Sequence, residues 1–486
     1  MKTQDIIKSF LYFCSTYFKP NMKRFYLIVL CLALICWTTE AKKVKGKVTC
    51  ADQGIASVIV TDGKSFTQTA KDGSFRLNVS KGAEFIQIVT PSGYTADYSS
   101  GVPAFYKKVE GTDSFTFELN KFGDGETSYN IIAVGDPQPR SKAHFEEFAG
   151  RPLDDICRTI SELDGPTVGI ALGDICFDVL PLMKSWKDKI TRTGIPFYTI
   201  AGNHDHDKKI EGDDLAIHAY REALGPENYA FFIGKDLMIG LDNIIYHKSK
   251  KYELGYTDEI ISWVESLMKY IPKGTDIYIA QHSPLNGRHF RKMITNHEKL
   301  LQILDGHTVT FLSGHNHVSG RFDYAPGVTE HNIAAICGTW WEAYHCTDGT
   351  PRGYKVFSKK DGDLTWYYKS IDKDKDFQYE VFMPGTTQLH PESVVINVWD
   401  YDTQWNIEWW EDGKAMGKME QVEELSPIHT QELNEKYAGS EKGPAGYKQT
   451  RKAKHYFAAK PSEGAKEIKI VIKNRFGKIW KETVKL

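Results

Sequence analysis

Charge of one sign is what this chain most conspicuously lacks. Lys and Arg number 61 against 63 Asp and Glu, leaving a formal net charge of −2. Bulk nucleic-acid binding, which needs a broad positive field, is therefore not expected. Cysteine is scarce as well, eight in 486 residues with no CxxC pair. That excludes a disulfide scaffold. Cys337 and Cys346 are spaced to form one bridge or to remain two buried thiols. The single long apolar run, Phe25 to Trp37, is too short for a comfortable membrane span. No stable span is expected beyond it. Fixed-period repeats and low-complexity tracts are absent, so a solenoid is not expected.

The N-terminus reads as an export signal. Met22, Lys23 and Arg24 supply a basic start, the apolar run follows, and Thr39, Glu40 and Ala41 form an acceptable cleavage site. Residues 1–41 are expected to be a signal peptide, with a possible start at Met22, and the protein to be periplasmic, cell-surface or secreted. Residues 43–126 consist of short β-rich runs punctuated by Asp62-Gly63 and Asp72-Gly73 turns. They predict an immunoglobulin-like β-module with no catalytic residues. Residues 127–372 alternate apolar strands with helical patterns, such as Ile156, Ile160 and Leu163, or Ile260, Ile261, Val264, Leu267 and Met268. This alternation predicts an α/β domain. Residues 373–486 return to long alternating strands and predict a second β-sandwich. Its Trp399, Trp405, Trp409 and Trp410 fit strand spacing in a core, with carbohydrate binding as the alternative.

Within the α/β region, five strand-like runs end in residues able to hold metals. The runs deliver Asp136; Asp174 with Asp178 four residues on; Asn203, His204 and Asp205; His282; and His315 with His317. All but the His282 run place a glycine just before these residues, which lets the backbone turn sharply. Parallel strands side by side would bring the five clusters to one sheet edge, where ligands bind in open α/β sheets. Carboxylate, imidazole and amide oxygen without thiolate suit two divalent ions of Mn, Fe or Zn rather than a structural zinc knot. Two such ions about 3.5–4 Å apart can clamp a phosphate and generate a hydroxide near neutral pH.

The ordered combination of these motifs between Gly135 and His317 resembles the calcineurin-like metallophosphoesterase superfamily. The flanking β-modules resemble an exported bacterial type. The resemblance implies a two-sheet sandwich flanked by helices with a dinuclear centre at the strand ends. It implies that Asp136, Gln138, Asp174 and His317 hold one metal. The other takes Asp174 as bridge with Asn203, His282 and His315. His204 would sit over the phosphate, oriented by Asp205, and a metal-activated hydroxide would attack. Asp178 stands one residue later than the outer carboxylate of the usual motif and is left out of the ligand set.

Gln138 occupies a position where the family usually has His. Its amide oxygen can coordinate directly or through water, and either way the first site should be the weaker one. Pro137 and Pro139 stiffen the loop around it. With Asp174, Asn203 and His204 intact, the expectation is a live site with an unusual ligand. Arg140, His206, Arg288, Trp340 and Trp341 are candidates for substrate contact. The substrate would be a phosphorylated small molecule, a nucleotide or a cell-envelope component, cleaved as monoester or diester. The alternative is a surface binding or adhesion protein with a vestigial phosphoesterase core.

Overall fold

The computed structural model describes residues 42–123, 128–248 and 251–486. The expected signal segment lies outside the described residues. Residues 42–121 form two facing sheets. One pairs Lys42–Cys50 with Ser74–Val79 antiparallel and with Ser114–Lys121 parallel. The other runs Phe66–Gln68, Ile59–Thr61, Phe85–Ile88, Tyr106–Lys108. In Ser74–Val79 and Ser114–Lys121 every second residue is buried, as a sheet with one wet face requires.

The central region holds two sheets, as the resemblance implies. The first has the order β3-β2-β1-β10-β11, where β1 is Tyr129–Val134, β2 Thr167–Ala171, β3 Phe197–Thr199, β10 Gly353–Lys360 and β11 Asp363–Ser370. The second has the order β4-β5-β6-β7-β9-β8, with β4 Tyr229–Ile233, β5 Asp236–Gly240, β6 Ile277–Ala280, β7 Val309–Ser313, β8 Gly320–Ala325 and β9 Val328–Asn332. Strands β1, β2 and β3 are mutually parallel, as are β5, β6 and β7. Each of the six residues of β1 is buried, because both faces of the strand are covered.

Alternation along the strands decides what covers each face. Ile131, Ala133, Val168 and Ile170 of the first sheet share one core with Met238, Tyr278, Ala280 and Leu312 of the second. Ile132, Val134 and Ala171 point the other way, toward helices α1 (Lys142–Ala149), α2 (Arg151–Ser161) and α3 (Leu182–Ile190). Ile239, Ile279 and Phe311 pack against α4 (Asp258–Met268) and α5 (His297–Ile303). The result is a helix–sheet–sheet–helix sandwich. Ser141 caps α1 and Thr257 caps α4 by accepting backbone N–H bonds, which fixes where both helices start.

Residues 380–485 carry two four-stranded antiparallel sheets and helix α6 (Pro427–Lys436). Trp399, Trp405 and Trp409 are buried, which places them in cores and removes them as a carbohydrate platform. Cys337 and Cys346 are buried free thiols. Among the described residues no helix is long and apolar enough to cross a membrane.

Candidate metal centre

The five clusters converge, but from two sheets. Asp136 follows β1, Asp174 follows β2 and Asn203 follows β3, all in the first sheet, while His282 and the pair His315 and His317 follow β6 and β7 in the second. Parallel strands in each sheet put these ends on the same side. The sheets are stitched there: His282 Nδ1 lies 2.8 Å from the Leu172 carbonyl, and the His315 N–H donates to Asp136 Oδ2 at 2.9 Å.

The donor atoms crowd together. His282 Nε2 lies 3.4 Å from Asp174 Oδ1, 3.2 Å from Asn203 Oδ1 and 3.1 Å from His315 Nδ1. His317 Nε2 lies 3.3 Å from Asp136 Oδ1. Asp136, Asp174 and His282 each offer an atom within 4.8 Å of the others. Gln138 donates its backbone N–H to the Asp174 carbonyl (2.9 Å), and its side-chain nitrogen contacts the Asp174 carboxylate. Gln138 Oε1 and His315 Nε2 are buried with no hydrogen-bond partner among the described residues, and Asp136 Oδ1 has only the His317 imidazole at 3.3 Å. Buried polar atoms without partners are rare and costly. Oxygen and nitrogen acceptors left open in one place fit divalent cations of the borderline class.

Electrostatics agree. Burial disfavours charge on His282 and His317, yet the carboxylates beside them, Asp174 and Asp136, hold the two imidazoles up at about 9 and about 10. Burial also works against the Asp174 carboxylate, but His282 and His204 hold it well below the usual range. The cavity calls for positive charge.

The backbone is strained at the same places. Asp136, Gln138, Asp174, Asp178, His315 and His317 have φ of 44°, 41°, 51°, 59°, 67° and 52°. Each left-handed non-glycine residue costs about 1–2 kcal/mol, and such residues cluster at functional sites. Of the glycines ahead of the ligands, Gly173 alone (φ 87°) needs the left-handed region. Gly202 and Gly314 are required for space: an added Cβ would strike Asp174 at the first and Asp136 at the second. At Gly173 it would fall 2.5 Å from His282 Nδ1.

Residues 42–122 match the N terminal of Calcineurin-like phosphoesterase, 129–319 match Calcineurin-like phosphoesterase and 330–480 match the C terminal of Calcineurin-like phosphoesterase. The chain belongs to the calcineurin-like phosphoesterase family. It is a metallophosphoesterase, a hydrolase acting on ester bonds, and the family implies divalent metal ions. No curated protein matches the sequence. Among solved structures it is similar to a dimetal phosphatase from Danio rerio, with 12% identity over 50% of this chain and 97% of that one and a TM-score of 0.37. It is also similar to a 5'-nucleotidase from Candida albicans (14% identity, 52% of this chain and 55% of that one, TM-score 0.32). A third is the NAD nucleotidase of Haemophilus influenzae (11% identity, 50% of each chain, TM-score 0.30). The chain thus spans about half the length of the two nucleotidases.

In this phosphoesterase His204 stands apart from the ligand cluster, and its side chain is 24% exposed. Its Nδ1 lies 3.0 Å from Asp178 Oδ1, and its ring stacks on Phe177 with centroids 4.0 Å apart. Lys208 holds the other Asp178 oxygen at 2.6 Å. The expectation that Asp205 orients His204 is therefore corrected. Asp205 is fully buried and accepts the N–H groups of Ile175, Cys176 and Gly202 at 3.1, 3.0 and 2.9 Å, tying the β2 and β3 loops together.

Two further expectations change. His206 is 1% exposed, with Nδ1 2.9 Å from the Gly202 carbonyl and Nε2 3.6 Å from Asp242, so it cannot reach a substrate. Trp341 is buried and donates its indole N–H to the Pro137 carbonyl at 3.0 Å, bracing the Gln138 loop from behind. Trp340, half-buried, stacks on His317 at 4.3 Å. Arg288 is exposed. Arg140 lies 4.4 Å from the Phe177 ring, and its buried Nε and Nη2 have no partner among the described residues.

Proposed function

We propose that this site hydrolyses a phosphoester of a phosphorylated small molecule, with two divalent ions held by Asp136, Gln138, Asp174 and His317 and by Asp174, Asn203, His282 and His315. The observation that carries this reading is the set of buried ligand atoms gathered in one place, Gln138 Oε1 and His315 Nε2 without a hydrogen-bond partner and Asp136 Oδ1 facing the His317 imidazole. Gln138 would offer its oxygen while its nitrogen stays on Asp174. When bound, the ions neutralise phosphate charge and activate water.

The chain's own groups supply the rest. Arg140 has two nitrogens, Nε and Nη2, free to orient phosphate oxygens, and the Phe177 ring lies 4.4 Å from its guanidinium. Asp178 accepts from His204 Nδ1, which fixes the ring. His204 then carries a proton at Nε2 for the departing ester oxygen. Asp174 accepts the His204 backbone N–H at 2.9 Å, so the acid and the bridging carboxylate keep one spacing.

The test is hydrolysis of an aryl phosphate monoester and an aryl phosphate diester by purified protein, stripped of metal and reloaded with Mn²⁺, Zn²⁺ or Fe²⁺. His204→Ala should lower kcat by about 10²–10⁴-fold with metal content unchanged. Asp174→Asn should lose bound metal and turnover together. Metal-loaded protein inert on both esters would remove the hydrolytic reading and leave the binding alternative. Export is part of the same proposal, supported by the basic and then apolar segment at residues 22–41. Fractionation of expressing cells, with the N-terminus of the purified protein sequenced, tests it.

A further inference from the structure

Between the second sheet and the C-terminal β-module lies a cleft of about 900 Å³, within the range of small-molecule sites. It reaches the metal centre at Asn316, the residue between His315 and His317. Asn316 Oδ1 accepts the His289 N–H at 2.9 Å, and Nδ2 donates to the Gly287 carbonyl at 3.1 Å. The ligand-bearing loop and the cleft wall are thus one hydrogen-bonded unit.

Charges line this cleft without balancing. Each acid is already engaged. Asp348 accepts from the N–H groups of Ser319 and Thr350 and faces His455 Nε2 at 3.2 Å. Asp402 pairs with Arg475 at 3.3 Å, Asp323 with Arg321 at 2.9 Å and Glu423 with Lys454 at 3.7 Å. Arg291, Arg451 and Lys452 form no ion pair with an acid among the described residues, although the Asp348 charge acts on Arg451 from farther off. Arg451 instead donates to His289 Nδ1 at 2.7 Å and to the Tyr447 carbonyl at 3.3 Å. His289 can accept because burial and the charges of Arg451, Arg288 and Arg291 keep its imidazole neutral, down at about 4. Arg321 also lines the cleft. Its side chain is only 9% exposed, and its Nε has no partner. Gathered cations repel one another unless an anion joins them.

We infer that this cleft binds a second anionic group, a phosphate carried on the organic part of the substrate, and that the preferred substrates are bisphosphorylated small molecules. The inference rests on the hydrolytic reading for the first phosphate. Arginine forks match phosphate oxygens in pairs, and Arg451 is already held in place by His289. The aromatic side chains of Phe290, Phe322 and Tyr401 border the same space and give the organic part an apolar wall.

Binding and turnover test this separately. Glucose 1,6-bisphosphate and glucose 6-phosphate are titrated by calorimetry into Mn²⁺-loaded His204→Ala protein, in which the metal centre can take the first phosphate while turnover is slowed. The bisphosphate is expected to bind more tightly, and Arg451→Ala and Lys452→Ala should each weaken it by roughly tenfold or more. Lys452 is exposed, so its variant will fold. Equal affinity for the two sugars, or bisphosphate affinity untouched by both variants, overturns the proposal. Reloaded enzyme is then compared on the same pair and on an aryl phosphate. Aryl phosphate turnover without a bisphosphate preference also overturns it. Bisphosphate binding that falls in both variants, with no turnover of any ester, overturns the hydrolytic reading and leaves the cleft standing.

Discussion

The two β-modules hold the catalytic sandwich in different ways. The N-terminal one is joined through apolar surface. Phe105 sits 5.1 Å from Tyr229 and 6.0 Å from Tyr198, ring centre to ring centre, and Val48, Phe75 and Phe117 belong to the same core as Ile131 and Met238. The C-terminal one also shares an apolar core, through Trp399 with Tyr354 and Val356, but adds buried polar groups. Lys355 on β10 meets Asp400 at 2.5 Å and His331 at 2.9 Å, and all three are buried. His345 meets Glu432 at 2.8 Å and Glu380 at 3.6 Å, Lys448 meets Glu342 at 2.5 Å, and Thr339 meets His429 at 2.9 Å. These groups lie on the stretch that carries Trp340 and Trp341, and Tyr447 stands edge-on to Trp340 at 4.9 Å. Apolar contact is tolerant of shape and indifferent to the site. Buried ion pairs demand register, and here the register is that of the residues around His317 and Gln138. One module stabilises the sandwich and the other aligns its active edge.

The two largest effects should separate these roles. Phe105→Ala should cost about 3–5 kcal/mol of stability in denaturant unfolding, with the specific activity of the folded protein unchanged. Lys355→Met leaves Asp400 buried and unpaired and should cost about 3–5 kcal/mol, whereas Lys355→Met with Asp400→Leu should recover most of that loss. If the paired substitution regains stability but not activity, the ion pair serves alignment. If it regains both, the contrast between the modules fails. Next in size, Asp178→Asn should lower kcat by about 10–100-fold with metal content unchanged, as expected of a group that acts by positioning another. Asp205→Asn should instead act through stability.

A smaller effect is pH-dependent. Burial opposes charge on His345, but Glu380 and Glu432 outweigh it and hold the imidazole up at about 9. Its folded value is raised above the unfolded one, so its stabilisation is fully present below about pH 6.5 and is lost as pH rises through about 9. Melting temperatures across that window should fall, and His345→Gln should flatten the slope. The smallest effect belongs to the exposed pair of Lys108 and Glu222, where Lys108→Ala should change stability by about 1 kcal/mol or less. A larger loss there would show that charge, not apolar packing, joins the N-terminal module.

Much of this was legible in the sequence. Strand and ligand in five ordered runs, four of them with a glycine between, pointed to one site, and the alternating patterns of residues 43–126 and 373–486 pointed to β-modules. The division of the runs between two sheets came from the resemblance and not from the strand pattern, because parallel strands with helical crossovers read alike whether they join one sheet or two. The partner of His204 was missed for a local reason. Asp205 is adjacent in sequence, but its side chain turns inward to three backbone N–H groups, while the Asp178 N–H pairs with the His204 carbonyl at 3.2 Å and brings that carboxylate alongside. Trp341 looked like a substrate platform because sequence shows an aromatic residue near a site but not the carbonyl its indole reaches.

The glycines of the metal centre make the motifs dependent on one another. Gly173 leaves room for His282, Gly202 for Asp174 and Gly314 for Asp136, and each of these ligands belongs to a different strand from the glycine that accommodates it. A side chain gained at one motif would therefore damage a donor at another. Drift along the chain is coupled across it: two of these glycines join the Asp174, Asn203 and His282 motifs, and the third joins the Asp136 and His315 motifs.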